Sequence, residues 1–392
     1  MHRTLAFAKF LREFGWDVTV LSVAPRAYES YRDENFKMVP PHVEVVRAPA
    51  LDTARHLSLR GWYPRFLALP DRWQSWIITG TRVGRRLFRE QRPAALLSTF
   101  PIASAHAIGL RLQRATGLPW VADFRDPMAQ DGYPTDPAVW RSYARIEKQV
   151  FEHANRITVT TQGTAEYYEA RYGERARQQL RVIENGFDPD AFPAERAPQA
   201  SPPPGAKMLL LHSGVIYPKD RDPAPFLQAL ARLQREGIVS DQTLTVRFRA
   251  SGYEDRYQQM IDGFGLRTLV ELAPAMPYNQ ALDEMQHADA LLLFQASTCN
   301  RQIPAKVYEY LYSGRPILGI TDPEGDTGRL LARMGVPGIA LLENSDAIYA
   351  MLRDKLPAIR ARQYVIAKRS EVEQLSRRSR TAELAKILDE IA

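Results

Sequence analysis

With 392 residues the chain exceeds a typical single domain and suffices for two, each large enough to bury a core of its own. Hydrophobic residues at 45% and charged residues at 25% exclude a disordered or low-complexity chain, and the single cysteine, Cys299, excludes a disulfide framework and points to a reducing, cytoplasmic setting. The net charge of +7 raises nucleic acid as a partner, but the excess is arginine on helices, not interleaved with aromatics or glycines; an anionic substrate or a membrane surface accounts for it equally well, and no nucleic acid is expected.

No apolar run reaches the ~20 residues that cross a bilayer. Lys9 and Arg12 interrupt the N-terminal apolar stretch before a signal-peptide core forms. Residues 5–14 read as a helix stopped by Gly15, followed by a strand at 18–21. An α/β domain normally opens with a strand and a glycine-rich turn feeding its first helix. Here the helix comes first, so the expectation is a misplaced start or a truncation. A strand at 43–46 leads into a segment rich in Arg, Pro and aromatics that runs to Pro70, and its role is not legible. From Asp71 onward Trp73, Ile77, Gly80, Val83 and Leu87 recur at helical spacing, with Arg82, Arg85, Arg86 and Arg89 on one side. This basic amphipathic helix is either a solvated face over a core stripe or a contact with anionic lipid head groups.

A strand at 94–99 and a helix to 116 follow; His106 in that helix reads as a packing residue rather than a catalyst. The strand at 120–122 ends in Asp123, Arg125 and Asp126, and parallel α/β sheets bind ligands just beyond the carboxyl ends of strands. These three are candidates for a site; the alternative is an ion pair internal to the loop. A helix at 140–153, a strand at 156–160, a helix at 163–172 and a strand ending in the Asn185-Gly186 turn close the first domain. Asp188-Pro189-Asp190 superficially matches a metal-binding acidic pair, but the central proline and the lack of further ligands argue against it; neither metal nor cofactor is expected.

Residues 193–205 hold five prolines without periodicity and read as the linker. Beyond it, 207–212 is a buried strand that runs into Ser213-Gly214, a small-residue turn whose backbone N–H groups can approach a phosphate. Lys219 and Arg221 precede a helix at 224–235 and suit a diphosphate. Strands at 244–249, 270–272 and 290–294 alternate with helices to 264 and at 279–286, which argues parallel sheets in both halves. Cys299 reads as a small structural residue, and the tail forms a helix at 376–391.

Residues 302–320 carry the most information. Pro304 suits a first helical position, Gly314 a stop, and 317–320 a strand buried in a parallel sheet. Lys306 and Glu309, three apart, share one helix face. A lysine in the first turn opposes the helix dipole unless an anion lies near it, and a glutamate one turn on can accept from two neighbouring hydroxyls, as a ribose presents them. The spacing fits a nucleotide; an exposed ion pair on an ordinary helix is the alternative.

The run from Glu309 to Ile317, with Gly314 and Pro316, resembles the donor-binding motif of family 4 glycosyltransferases, and further matches at 120–127, 182–192 and 211–223 extend the resemblance over nearly the whole chain. It implies the GT-B fold, an α/β architecture of two Rossmann-like domains with parallel sheets facing a central cleft. Residues 1–192 would be the acceptor-side domain, without its first strand and the glycine loop that lies near the donor phosphates; 206–370 the nucleotide-sugar domain; and 371–392 a helix crossing back. Glu309 would hold the ribose, with Ser213, Gly214, Lys219, Arg221, Pro304 and Lys306 around the rest of the donor. Lys306 and Arg221 would offset charge on the leaving diphosphate. Asp126, beside Asp123 and Arg125, would orient or deprotonate an acceptor hydroxyl.

The implied reaction is metal-independent, retaining hexosyl transfer from a nucleotide-diphospho sugar to a glycan or lipid-linked acceptor in polysaccharide or cell-envelope synthesis. It would run in the cytoplasm, with the Arg82–Arg89 helix touching the inner face of the membrane. Two departures from the family pattern matter. The frequent acidic residue eight positions before the ribose glutamate falls at Arg301, and the usual arginine after the glycine turn is Val215, so the sugar's identity does not carry over. A sugar-nucleotide epimerase of the same fold and a non-catalytic nucleotide-binding protein remain as rivals.

Overall fold

The computed structural model describes residues 2–29, 31, 34–192 and 207–392; the proline-rich stretch expected as linker lies outside them. The chain forms two compact units, one of Met1–Glu184 with Arg377–Ala392 and one of Asn185–Ser376.

In the first unit β1 (Thr19–Val23) pairs in parallel with β2 (Glu44–Ala48). A separate parallel sheet has the order β3 (Leu96–Thr99), β4 (Trp120–Arg125), β5 (Arg156–Val159), β6 (Leu180–Val182). Among the described residues β1 and β3 are not paired with each other. Strand β4 is buried from Trp120 to Phe124 because helices cover both faces of the sheet, and its side chains accordingly read as a continuous apolar run at 120–122.

The helices of this unit begin and end where local chemistry allows. Asp136 caps the helix Pro137–His153, its Oδ1 accepting from the N–H groups of Ala138 (2.8 Å) and Val139 (3.2 Å), with Pro137 opening the first turn. Helix Ser75–Gln91 buries Trp76, Ile77, Gly80 and Gly84 against helix Ala103–Thr116. The approach is close: a Cβ on Gly84 would lie 2.6 Å from Leu112 Cδ1. The last helix, Arg377–Asp389, packs Leu384, Ala385, Ile387 and Leu388 against Phe7 and Leu11 of the first helix region.

The second unit holds one six-stranded parallel sheet in the order β12 (Gly338–Ala340), β11 (Ile317–Ile320), β10 (Ala290–Phe294), β7 (Met208–Ser213), β8 (Leu244–Arg249), β9 (Val270–Ala273). This is the doubly wound order, and the strand sequence reverses between β7 and β10, so the crevice for a ligand lies beyond the carboxyl ends of those two strands.

Several boundaries differ from those read off the sequence. The division of the chain falls ahead of Asn185, not in the proline-rich stretch, because Phe187 and Phe192 are buried in the second unit and Phe187 stacks on Tyr312 with centroids 4.1 Å apart. Val372 and Leu375 also belong to that core, so the return to the first unit starts at Arg377 rather than 371. The sequence reading has no elements at 321–375, where the structure has helices Asp326–Arg333, Ser345–Arg360 and Arg369–Glu373 together with β12.

Candidate functional site

In the second unit, β7 delivers His212 and Ser213 to the reversal point of the sheet and Gly214 turns the chain away at φ 104°, a backbone angle that favours glycine. Above this turn sits Lys306. Its Nζ donates to the Ser213 carbonyl oxygen at 2.7 Å and lies 3.2 Å from His212 Nε2. A Cβ at position 214 would stand 3.1 Å from that ammonium and would press on it, while the backbone angle already favours glycine. His212 is wholly buried, and its Nδ1 is 2.9 Å from the Leu292 carbonyl oxygen. A carbonyl only accepts, so Nδ1 carries the proton and Nε2 is left as acceptor for Lys306.

Lys306 is half-buried by surface, yet protein surrounds its ammonium. Burial, and secondarily the guanidinium of Arg221, push its pKa down to about 7 despite the opposing pull of Glu309. Burial likewise keeps His212 neutral, with Lys306 adding to the effect. Arg221 donates from Nη1 to the Val215 carbonyl at 2.8 Å and lies over the Tyr217 ring. Glu309 is buried, and Oε1 accepts from the Tyr278 hydroxyl at 2.6 Å. Tyr310, one residue on, accepts the Ser213 N–H at its hydroxyl, 2.9 Å away, which ties the helix to the glycine turn.

The structure therefore brings Ser213, Gly214, Arg221, Lys306 and Glu309 to one end of the sheet. Pro304 lies ahead of the helix, which runs Lys306–Tyr312, instead of at its first position; the entry is a tight turn in which Val307 N donates to Pro304 O at 3.0 Å. Lys219 is exposed and makes no hydrogen bond or ion pair with these residues among those described. Arg301 is exposed on the turn before the helix. Three contributors escape sequence reading: His212, Tyr278 and Tyr310. Each looks like an ordinary core or helix residue until the fold joins it to a partner far along the chain.

In the first unit, Asp123 is not an open acceptor-side carboxylate. It is 1% exposed, and it accepts from Arg3 Nη2 (3.0 Å), Thr99 Oγ1 (2.9 Å) and Thr158 Oγ1 (2.8 Å), with Arg125 Nε 3.6 Å away. Burial would raise its pKa, but Arg3 and Arg125 overcome that and hold it down to about 2. The ion pair weighed as the alternative is thus real, though its principal cation is Arg3 and not a loop neighbour. Arg125 sits at a bulge with φ 63°, and its guanidinium donates to Thr99 Oγ1 and Thr4 Oγ1. Asp126 alone of the three presents an exposed carboxyl; even so, the protein around it desolvates it enough to raise its pKa, against the pull of Arg125. His106 is wholly buried and bonded to Ser98 Oγ at 2.8 Å, and burial takes its pKa down to about 4, so it is a neutral packing residue.

Asp188 caps the short turn Pro189–Ala191, accepting from Asp190 N at 3.2 Å. Among the described residues no three His, Cys, Asp or Glu side chains are grouped as a metal site, and no helix is long and apolar enough to cross a membrane.

Residues 2–186, which include all six strands of the first unit, match the family described as a glycosyl transferase 4-like domain. The chain has the GT-B fold, and its first half matches a glycosyl transferase 4-like domain. The chain is similar in structure to HepE of Anabaena, solved with UDP and glucose (TM-score 0.65, 14% identity, covering 99% of this chain and 95% of that one). It is also similar to sucrose-phosphate synthase of Thermosynechococcus elongatus (0.68, 13%, 98% and 91%) and to WaaG, a glycosyltransferase of lipopolysaccharide biosynthesis (0.63, 15%, 99% and 95%). At such identities the likeness shows a shared fold. No curated protein matches the chain's sequence.

Proposed function

We propose that the protein is a glycosyltransferase that moves a hexosyl group, with retention, from a nucleotide-diphospho sugar to a glycan or lipid-linked acceptor in envelope or polysaccharide synthesis. One observation carries the reading: at the mouth of a doubly wound sheet Lys306 and Arg221 bring two cations to the Gly214 turn, Lys306 Nζ on the Ser213 carbonyl at 2.7 Å and Arg221 Nη1 on the Val215 carbonyl at 2.8 Å. Such a pair is unfavourable without an anion and strongly favourable with one. A donor diphosphate beside the Gly214 turn meets that demand, and the charge that builds on it as the sugar leaves is what these cations offset. Glu309, one helical turn from Lys306, is the group suited to the ribose hydroxyls, and its bond to the Tyr278 hydroxyl holds the carboxylate in place. UDP bound to the similar HepE supports a nucleoside diphosphate as the ligand class. Asp126 is our choice for the group that orients the acceptor hydroxyl, since its raised pKa suits proton exchange with an alcohol. The single cysteine supports a cytoplasmic site of action.

A thermal-shift panel with UDP, GDP, ADP and CDP at fixed salt tests this on the native chain and on Glu309→Gln. One diphosphate is expected to stabilise the native protein, by about 2.7 kcal/mol at a hundredfold excess over its dissociation constant, and to lose most of that effect in Glu309→Gln. A folded protein that no diphosphate stabilises defeats the donor reading.

A further inference from the structure

The segment that the sequence leaves without a role, 51–70, carries exposed apolar side chains in an unusual density. Leu59 is 78%, Trp62 70% and Phe66 66% exposed, and Ile78 at the start of the following helix is 60% exposed. Leu59 and Trp62 are not loose: their backbones exchange both hydrogen bonds (2.8 and 3.0 Å) across a two-residue turn in which Arg60 and Gly61 take φ 52° and 81°. That turn makes a tight hairpin, and residues directly opposite in such a pair point their side chains to the same side. The segment is fastened to the start of helix Ser75–Gln91 by Leu51 N to Ser75 Oγ (2.8 Å), and to the turn before that helix by Thr53 N to Arg72 O (2.9 Å). On that helix Ile78, Arg82, Arg85 and Arg89 fall within about 60° of one another, opposite the buried Trp76, Gly80 and Gly84.

The charge around these side chains is one-sided. Residues 51–92 contain nine arginines and three carboxylates, a net +6 of the whole chain's +7. None of the three carboxylates offers negative charge to a partner: Asp52 is buried and paired with Arg72, Asp71 accepts from Ser104 N and Oγ at 2.7 and 2.9 Å, and Glu90 lies beside Arg86. Arg82, Arg85 and Arg89 have no carboxylate within ion-pair distance among the described residues.

We propose that this surface docks on an anionic lipid bilayer, with the Leu59–Trp62 hairpin and Phe66 entering the interfacial layer and the Ile78-Arg82-Arg85-Arg89 stripe lying along the head groups. A bilayer offers both things the surface asks for, negative charge at the level of the arginines and an apolar medium just below it, and tryptophan and arginine are suited to that boundary. Nucleic acid supplies the charge without the medium for Leu59. The inference is independent of the donor site, so either can fail alone.

Co-sedimentation of the full chain with vesicles tests it, using phosphatidylcholine alone and phosphatidylcholine mixed with phosphatidylglycerol. Binding is expected to the mixed vesicles and to weaken as salt is raised. Leu59→Ser/Trp62→Ser/Phe66→Ser and Arg82→Gln/Arg85→Gln/Arg89→Gln, whose altered side chains are mostly exposed, are each expected to lower partitioning at least about tenfold while leaving the circular dichroism and melting transition unchanged. Brominated lipid is expected to quench tryptophan emission in the native chain and much less in Trp62→Phe. No vesicle binding, binding that both triple variants retain, or retention of RNA or DNA by the same arginines in place of vesicles overturns the proposal, and unchanged quenching in Trp62→Phe overturns insertion of the hairpin.

Discussion

Lys306 concentrates the chemistry of the second unit. Three groups face its ammonium: Arg221, which repels it, His212, which is neutral and accepts from it, and Glu309 on its own helix, which attracts it. In the free protein its pKa is about 7, and a diphosphate bound alongside raises that value. Binding of the anion is then coupled to proton uptake. The sign follows: the bound-state pKa is the higher, so affinity is full below about pH 7 and falls as pH rises above it, by no more than about tenfold per pH unit. Calorimetric titration with UDP between about pH 7 and 9 is expected to follow that slope in the native chain and to flatten in Lys306→Arg, because a guanidinium stays charged throughout. A slope that persists in Lys306→Arg assigns the proton to another group. Lys306, Glu309 and Gly214 were legible because a helix face and a glycine turn are local patterns. Asp123 was not, since the residue that decides its role, Arg3, stands 120 positions earlier and only the fold brings them together.

At the scale of elements, the strands of the second sheet were legible where they are uniformly buried, as β10 and β11 are, because a short apolar run bounded by turns has few other readings. Residues 321–375 were not legible. Their one strand, β12, is three residues long, and helix Ser345–Arg360 contains Pro357, which reads as a break although the helix continues past it. The same region holds a constraint that composition does not disclose. In helix Asp326–Arg333, Gly328 faces the carbonyl oxygens of Asp322 and Pro323, and a Cβ there would lie 2.6 Å from the second of them. Backbone does not rotate aside as a side-chain tip does. Gly328→Ala is therefore expected to destabilise the second unit by roughly 1–3 kcal/mol, against the gain of up to about 1 kcal/mol that alanine brings to an open helix position. Denaturant unfolding of the variant checks the sign: a stabilised protein contradicts the packing described.

Across the whole molecule, the first unit is assembled from two stretches that the sequence keeps far apart, and this has a consequence that sequence order alone would not suggest. Leu384 is completely buried, and with Ala385, Ile387 and Leu388 it shares a core with Phe7, Leu11, Val121 and Ile183. Val121 belongs to β4, the strand that also holds the Asp123 network. The tail helix is weakly amphipathic in sequence, with arginines at 377, 378 and 380, so its apolar content identifies a helix but not the surface it covers. Truncating Leu384 to alanine leaves a cavity in the first unit and is expected to cost about 2–5 kcal/mol there. Hydrogen exchange resolves where the loss falls, since local opening reports the stability of the unit that contains each amide. Protection is expected to drop in Trp120–Arg125 and in the first helix, while Met208–Ser213 and Ala290–Phe294, which belong to the other unit, keep theirs. Equal loss in both sets of strands would mean that the two units unfold as one cooperative body, and loss confined to the tail would mean that Leu384 contributes nothing to the core in which it lies.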